Sequence, residues 1–178
     1  AMAIVKEPAI LSHIREIVFM GGAAFRAGNV TPYSEFNIHA DPHAAEITLA
    51  SGAPCVMMGL DVTLQTEITN SRLAALADID HPSAQAVVEM LGFYATRISE
   101  IGESRGESGK KAVLHDPCTI AYLLAPQIFA GEVSQVGVAT TGERTGGMHV
   151  QPVTAGSGRS PVRVMTSVDA DAFFTLLT

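Results

Sequence analysis

With 178 residues, 47% of them hydrophobic and only 16% charged, the chain is too apolar for disorder and long enough to bury about 70% of its unfolded surface, so a packed core is expected. Eleven Lys and Arg against 18 Asp and Glu give a net charge of −7 without a basic block, which argues against nucleic acid or an anionic membrane as partner. Cys55 and Cys118 are too few for a disulfide framework, no apolar run reaches the roughly 20 residues of a membrane span, and no signal peptide stands at the start, so a soluble, cytoplasmic protein is expected.

The first predicted element is a helix over residues 1–14, with apolar positions continuing to Ile10, Leu11 and Ile14 but no Ser, Thr, Asp or Asn to cap it. Residues 17–20 form a four-residue apolar run stopped by Gly21-Gly22, the pattern of a strand buried on both faces. Residues 23–40 carry Gly28, Asn29, Pro32 and Asn37 without a clean period and read as a long loop with a short helix near 32–36. Asp41-Pro42 opens a helix to about Ala50, stopped at Gly52, and residues 54–58 are a second buried strand.

A short helix near 67–76 and a longer one over 82–101 follow, the latter with Ala86, Val87, Met90, Leu91, Tyr94 and Ile98 on one side. Residues 102–111 have the Gly, Ser and charge content of a surface loop. An apolar lead-in at 112–114 reaches His115-Asp116-Pro117, and a helix continues through Leu124 to Pro126. Residues 133–140, 148–150 and 162–166 read as strands, the first two joined by the hairpin chemistry of 142–147. Asp169 caps a last helix whose Phe173, Phe174, Leu176 and Leu177 are still in phase at Thr178, and the two open ends point to a piece of a longer polypeptide. Strands alternating with helices imply an α/β fold: an open, mostly parallel sheet with flanking helices and an antiparallel edge.

Ligands of such sheets gather beyond the carboxyl ends of the strands, which singles out two segments. The first joins Met20-Gly-Gly22 to Asn29, Glu35 and Asn37, a carboxylate and two carboxamides suited to sugar hydroxyls; the alternative is that the asparagines serve loop turns and Glu35 is a solvated charge. The second is His115-Asp116, able to combine proton transfer with metal binding; the alternative is that Asp116 is an ordinary helix N-cap, as Asp41 would be. His39, His43 and the Glu143-Arg144 tip read as surface residues, and Cys55 and Cys118 as small buried hydrophobes. Ser157, between Gly156 and Gly158, lacks the strand-to-helix setting of a nucleophile elbow.

The stretches Ile17-Val-Phe-Met-Gly-Gly-Ala, Gly28-Asn29-Val-Thr-Pro-Tyr-Ser-Glu35-Phe-Asn37-Ile and Asp41-Pro-His-Ala-Ala45 are similar to the inosine–uridine preferring nucleoside hydrolase family. Val113-Leu-His115-Asp116-Pro-Cys-Thr-Ile-Ala-Tyr122 and Val168-Asp-Ala-Asp-Ala-Phe-Phe174 extend the resemblance in order along the chain. It implies hydrolysis of the N-glycosidic bond of ribonucleosides to free base and ribose, with a bound calcium ion. It further implies that Asn29, Glu35 and Asn37 hold ribose hydroxyls, with Met20 and Phe36 lining the sugar site. Asp116 would be a calcium ligand, and His115 a general acid toward the departing base. Residues 94–111 would border the base.

The sequence departs from the family at one point: the aspartate cluster Asp-Thr-Asp-Pro-Gly-x-Asp-Asp is absent, and the acidic group Asp78-Ile-Asp80 has another context. Family members are nearly twice as long. Residues 1–178 are therefore expected to be the C-terminal portion of one nucleoside hydrolase domain, a partial domain with an incomplete calcium site and no activity alone. The resemblance also implies a homo-oligomer for the intact protein, and the truncation suggests a complementary N-terminal fragment as partner. The competing expectation is a non-catalytic ribose-binding or assembly module built on the same fold.

Overall fold

A computed structural model describes residues 1–104, 111–154 and 159–178. Among these, one sheet has the strand order β1-β2-β5-β3-β4, with β1 Ile17–Met20, β2 Cys55–Met58, β3 Phe129–Val138, β4 Met148–Pro152 and β5 Val162–Val168. β1, β2 and β5 pair in parallel, β3 runs against both of its neighbours, and β4 therefore points the same way as the parallel three. The open, mostly parallel sheet expected from the sequence is present, with β3 alone reversed.

The centre of the sheet explains the apolar runs. Every residue of β2 is buried, Cys55 and Met57 facing one core with Leu49, Val136 and Val164, and Val56 and Met58 facing another with Phe129, Cys118 and Phe173. Two-residue periodicity with both phases apolar is what a strand between two packed layers requires. β1 is as apolar, yet all four of its residues are only half-buried. Its place at the edge of the sheet, beside β2 alone, is the reason, and it corrects the reading of β1 as buried on both faces.

The helices follow their caps. Asp41 accepts from the Ala44 N–H at 2.9 Å and starts α3 (Pro42–Ala50), and Asp169 accepts from Asp171 and Ala172 and starts α8 (Ala170–Thr175). The predicted N-terminal helix does not hold. Pro8 cannot donate into a helical ladder, so α1 covers only Met2–Lys6 and a 3₁₀ turn takes Pro8–His13. The short helix placed near 32–36 is also displaced: α2 spans Phe36–Ala40 because Glu35, outside the preferred capping types, caps it from inside the protein. A one-turn helix, α4 (Leu60–Thr63), lies where no helix was expected.

Thr69 caps α5 (Asn70–Ala77), three residues later than the sequence pattern suggested. α6 runs Pro82–Ser104 and takes in Gly102, and α7 covers Pro117–Leu124. The rest of the expected surface loop, 105–110, and Ser157 lie outside the described residues. Glu143 and Arg144 at the β3–β4 hairpin tip are exposed, as expected, and the tip also touches the loop before α2. Arg144 lies 4.7 Å above the Tyr33 ring, Ser34 bridges Gly147, and half-buried His39 reaches Ser34 Oγ at 3.1 Å and Thr145 O at 3.4 Å. No helix among the described residues is long and apolar enough to cross a membrane.

Both thiols are buried, as expected, and burial pushes the Cys118 thiol up to about 11. The thiolate is the reactive form. Iodoacetamide at pH 8 is therefore expected to leave Cys55 and Cys118 unmodified in native protein and to alkylate both in urea, as read by intact mass.

Candidate active site

The loop after β1 is built on glycine and a buried carboxylate. Gly22 has φ +84°, a left-handed conformation that disfavours a side chain, and a Cβ there would press on Met148. At Gly28 a Cβ would collide with the backbone of Ser34, so the loop packs closely upon itself. Into this fold Glu35 inserts, 2% exposed. Its Oε2 accepts from Gly22 N at 3.0 Å, Asn37 N at 2.9 Å and Ile38 N at 3.3 Å, while Oε1 accepts from Asn37 N at 2.9 Å. The expectation of a solvated Glu35 is thus excluded.

Around that carboxylate the other residues take complementary orientations. Asn29 Oδ1 accepts from Phe36 N at 2.9 Å, which leaves its Nδ2 as a donor. Asn37 Nδ2 donates to Met20 O at 3.3 Å and contacts Met20 Sδ at 3.2 Å, which leaves its Oδ1 as an acceptor. Each asparagine also has a local task, as the bland reading required. Met20 is half-buried, Asn29 and Asn37 are exposed, and the Phe36 ring is 62% exposed, so it packs little against its own chain. The structure brings Met20, Asn29, Glu35, Phe36 and Asn37 together at the carboxyl end of β1.

The second segment stands on α4 and the start of α7. His115 Nδ1 lies 2.8 Å from the hydroxyl of fully buried Thr63. Burial lowers the pKa of the imidazole, and the charges of Asp116 and Glu35 partly counter it, which puts Glu35 within electrostatic reach of His115. Asp116 does not behave as the N-cap its sequence allows. Its backbone is already right-handed helical (φ −62°, ψ −37°) and its side chain makes no capping bond, unlike Asp41. The exposed carboxylate acts on Tyr94 of α6, whose pKa is raised by burial and then by the Asp116 charge. The chain neighbours Leu114 and Pro117 line an apolar cavity of about 560 Å³ together with Leu76, Val87, Met90 and Leu91.

Two residues of the site escaped the sequence reading, Asp61 and Thr63, both on α4. Asp61 accepts from Ala24 N at 2.8 Å and Phe25 N at 2.9 Å, pinning the loop after Gly22. A single helical turn has no period to detect, though Gly59 ending an apolar strand marks where ligands gather. Calcium takes 6–8 oxygens. Asp116 offers a carboxylate of the right kind, but no group of three or more His, Cys, Asp or Glu that could hold a metal exists among the described residues. The donors present fit one ligand of such an ion and not a whole site.

The open α/β sheet gathers a carboxylate, two carboxamides and an imidazole–carboxylate pair beyond its strand ends, a donor and acceptor set suited to a small polyol. The profile of the inosine-uridine preferring nucleoside hydrolase family matches residues 1–175, and the chain belongs to that family. It is 43% identical over 178 residues to the pyrimidine-specific ribonucleoside hydrolase RihA of Salmonella paratyphi B, covering 99% of this chain and 56% of that protein. The RihA of Shewanella woodyi is 39% identical, with 99% and 55% covered. A plant nucleoside hydrolase, the PpNRh1 enzyme, superposes with a TM-score of 0.87 at 28% identity, covering 99% of this chain and 56% of that one. A purine-preferring ribonucleoside hydrolase from Gardnerella vaginalis gives 0.85 at 31%, with 97% and 54% covered. The chain spans about half the length of the curated relatives it matches.

Two outcomes follow from the geometry. Glu35→Ala strands the N–H groups of Gly22, Asn37 and Ile38 and is expected to lower unfolding free energy in urea by about 2–4 kcal/mol, against less than about 1 kcal/mol for the exposed Asn37→Ala. For His115, NMR titration in EDTA is expected to place the ring midpoint below the ordinary 6.5, and lower still in Asp116→Asn, where a charge that raises it is gone. With the folded pKa below the unfolded one, the unfolded chain binds the proton first. This group's stabilisation is therefore full above pH 6.5 and falls as pH drops toward the folded midpoint.

Proposed function

We propose that this chain supplies the ribose-holding and base-facing side of a hydrolase that cleaves the N-glycosidic bond of ribonucleosides, and that its preferred substrates are pyrimidine ribonucleosides. The observation that carries the reading is the polar complementarity at the end of β1. Asn29 Nδ2 remains to donate, and Asn37 Oδ1 and Glu35 Oε1 remain to accept. That set suits two vicinal hydroxyls, each of which donates and accepts. The pyrimidine preference is supported by the similarity to the pyrimidine-specific RihA enzymes.

Hydrolysis breaks the bond from ribose C1′ to the base nitrogen; the bond pair leaves with the base, water adds to C1′, and the base gains a proton. Positive charge develops on the sugar as that bond lengthens. Glu35 is suited to that charge because its carboxylate is fixed by three backbone N–H donors and has no rearrangement to make as the charge appears. His115 in its neutral form offers the departing base a hydrogen bond, and in its protonated form a proton. Tyr94 of α6, which feels the charge of Asp116, would border that side. Asp116 contributes one carboxylate ligand to calcium, which when bound supplies hydroxyl binding and activation of water.

The account expects the 178-residue chain alone to bind calcium weakly and to release no ribose from uridine, cytidine or inosine in a reducing-sugar assay. A family-length protein containing it should hydrolyse uridine with calcium, lose about 10²–10⁴-fold in kcat with His115→Ala, and lose its calcium dependence with Asp116→Asn. Calcium-dependent turnover by the 178-residue chain alone would overturn the shared-site reading. A family-length protein that binds ribose but never cleaves uridine would favour the binding-module alternative.

A further inference from the structure

The one-turn helix α4 places a hydroxyl against the imidazole, and the surroundings of that hydroxyl decide which way the bond runs. Thr63 is fully buried, and a buried O–H without an acceptor is costly. The outlet usual for a threonine in a helix is the carbonyl four residues back. That carbonyl, on Gly59, already accepts from the N–H groups of Val62 and Thr63 at 3.2 and 3.1 Å. Thr66, one turn on, solves the same problem differently, reaching Thr63 O and Leu114 O, each at 2.8 Å. For Thr63, His115 Nδ1 at 2.8 Å is the hydrogen-bond partner of the hydroxyl among the described residues. If Nδ1 carried the proton, the hydroxyl would accept it and its own hydrogen would be left without an acceptor.

We propose that Thr63 is a positioning residue whose hydroxyl donates to Nδ1 of His115, so that the neutral ring carries its hydrogen on Nε2, on the side of the ring away from α4. Asp61 keeps α4 in place for this by binding Ala24 N and Phe25 N, and the Leu60 N–H donates to Gly22 O at 2.8 Å. The helix that orders the sugar loop is therefore the one that sets the imidazole. The catalytic use of this arrangement rests on the reading of His115 as the group facing the base. A ring held in this way offers the leaving base a hydrogen bond from Nε2 without first becoming a cation, and the base acceptor it suits is a carbonyl oxygen or ring nitrogen.

The test is the tautomer itself, read from long-range ¹H–¹⁵N spectra of imidazole-labelled 178-residue protein in EDTA at pH 7.5. Wild type is expected to show a pyridine-type Nδ1 and a pyrrole-type Nε2 for His115. Thr63→Ser should keep that pattern, and Thr63→Val should give a mixture of both tautomers. A wild-type spectrum with the hydrogen on Nδ1 would overturn the proposal even if no variant folds, and so would a Thr63→Val spectrum identical to wild type. Uridine hydrolysis by the family-length protein separates the two readings. The expected tautomer without any effect of Thr63→Val on kcat contradicts the catalytic use and leaves the positioning intact, whereas loss in Thr63→Val with recovery in Thr63→Ser supports both.

Discussion

The bond set around Glu35 is the constraint on which this half of the site depends. This carboxylate, at 2% exposure, is held among the described residues by three backbone N–H groups drawn from the turn after β1 and from the start of α2. Such an arrangement is strong because charged acceptors roughly double the worth of each bond, and demanding because all donors must arrive together. It fixes Gly22 in its left-handed turn, starts α2 where propensity would not, and orients Asn37 toward Met20. Each asparagine has one polar group spent locally, which leaves the other for a ligand.

The rest of the site hangs on α4. This short helix follows the fully buried β2, touches the β1 loop through Asp61 and Leu60, and touches the His115 segment through Thr63. Thr66, just beyond it, ties into the same segment by its bond to Leu114 O. One turn of helix thus couples the loop after β1 to the His115 segment. Asp116, meanwhile, is left uncommitted by its own helix, an exposed carboxylate whose neighbours are Tyr94 and His115. Nothing in the helix requires an aspartate there, so its chemistry is available for a ligand.

Much of this was legible in the sequence where a local rule acts alone. Asp41-Pro42 and Asp169 announced their helices, the apolar run of β2 announced burial on both faces, and the motif residues announced the family. The failures have physical causes. Pro8 breaks an apolar pattern that periodicity alone carries through. β1 and β2 have equally apolar sequences, and only the position of β1 at the sheet edge makes it half-buried. Glu35 as a cap, and α4 as a helix, depend on partners 13 to 52 residues away and leave no periodic trace. The two Asp-Pro steps look alike in sequence and differ in the backbone angles of the aspartate, which neighbouring structure sets.

The most direct measurement is a crystal structure of a family-length protein carrying this chain, with calcium and ribose bound. The account requires ribose hydroxyls within hydrogen-bond distance of Asn29 Nδ2, Glu35 Oε1 and Asn37 Oδ1, with the face of C1′ toward His115. Ribose seated instead in the apolar cavity between α5, α6 and α7, or bound with Glu35 still touching only its backbone donors, would contradict it.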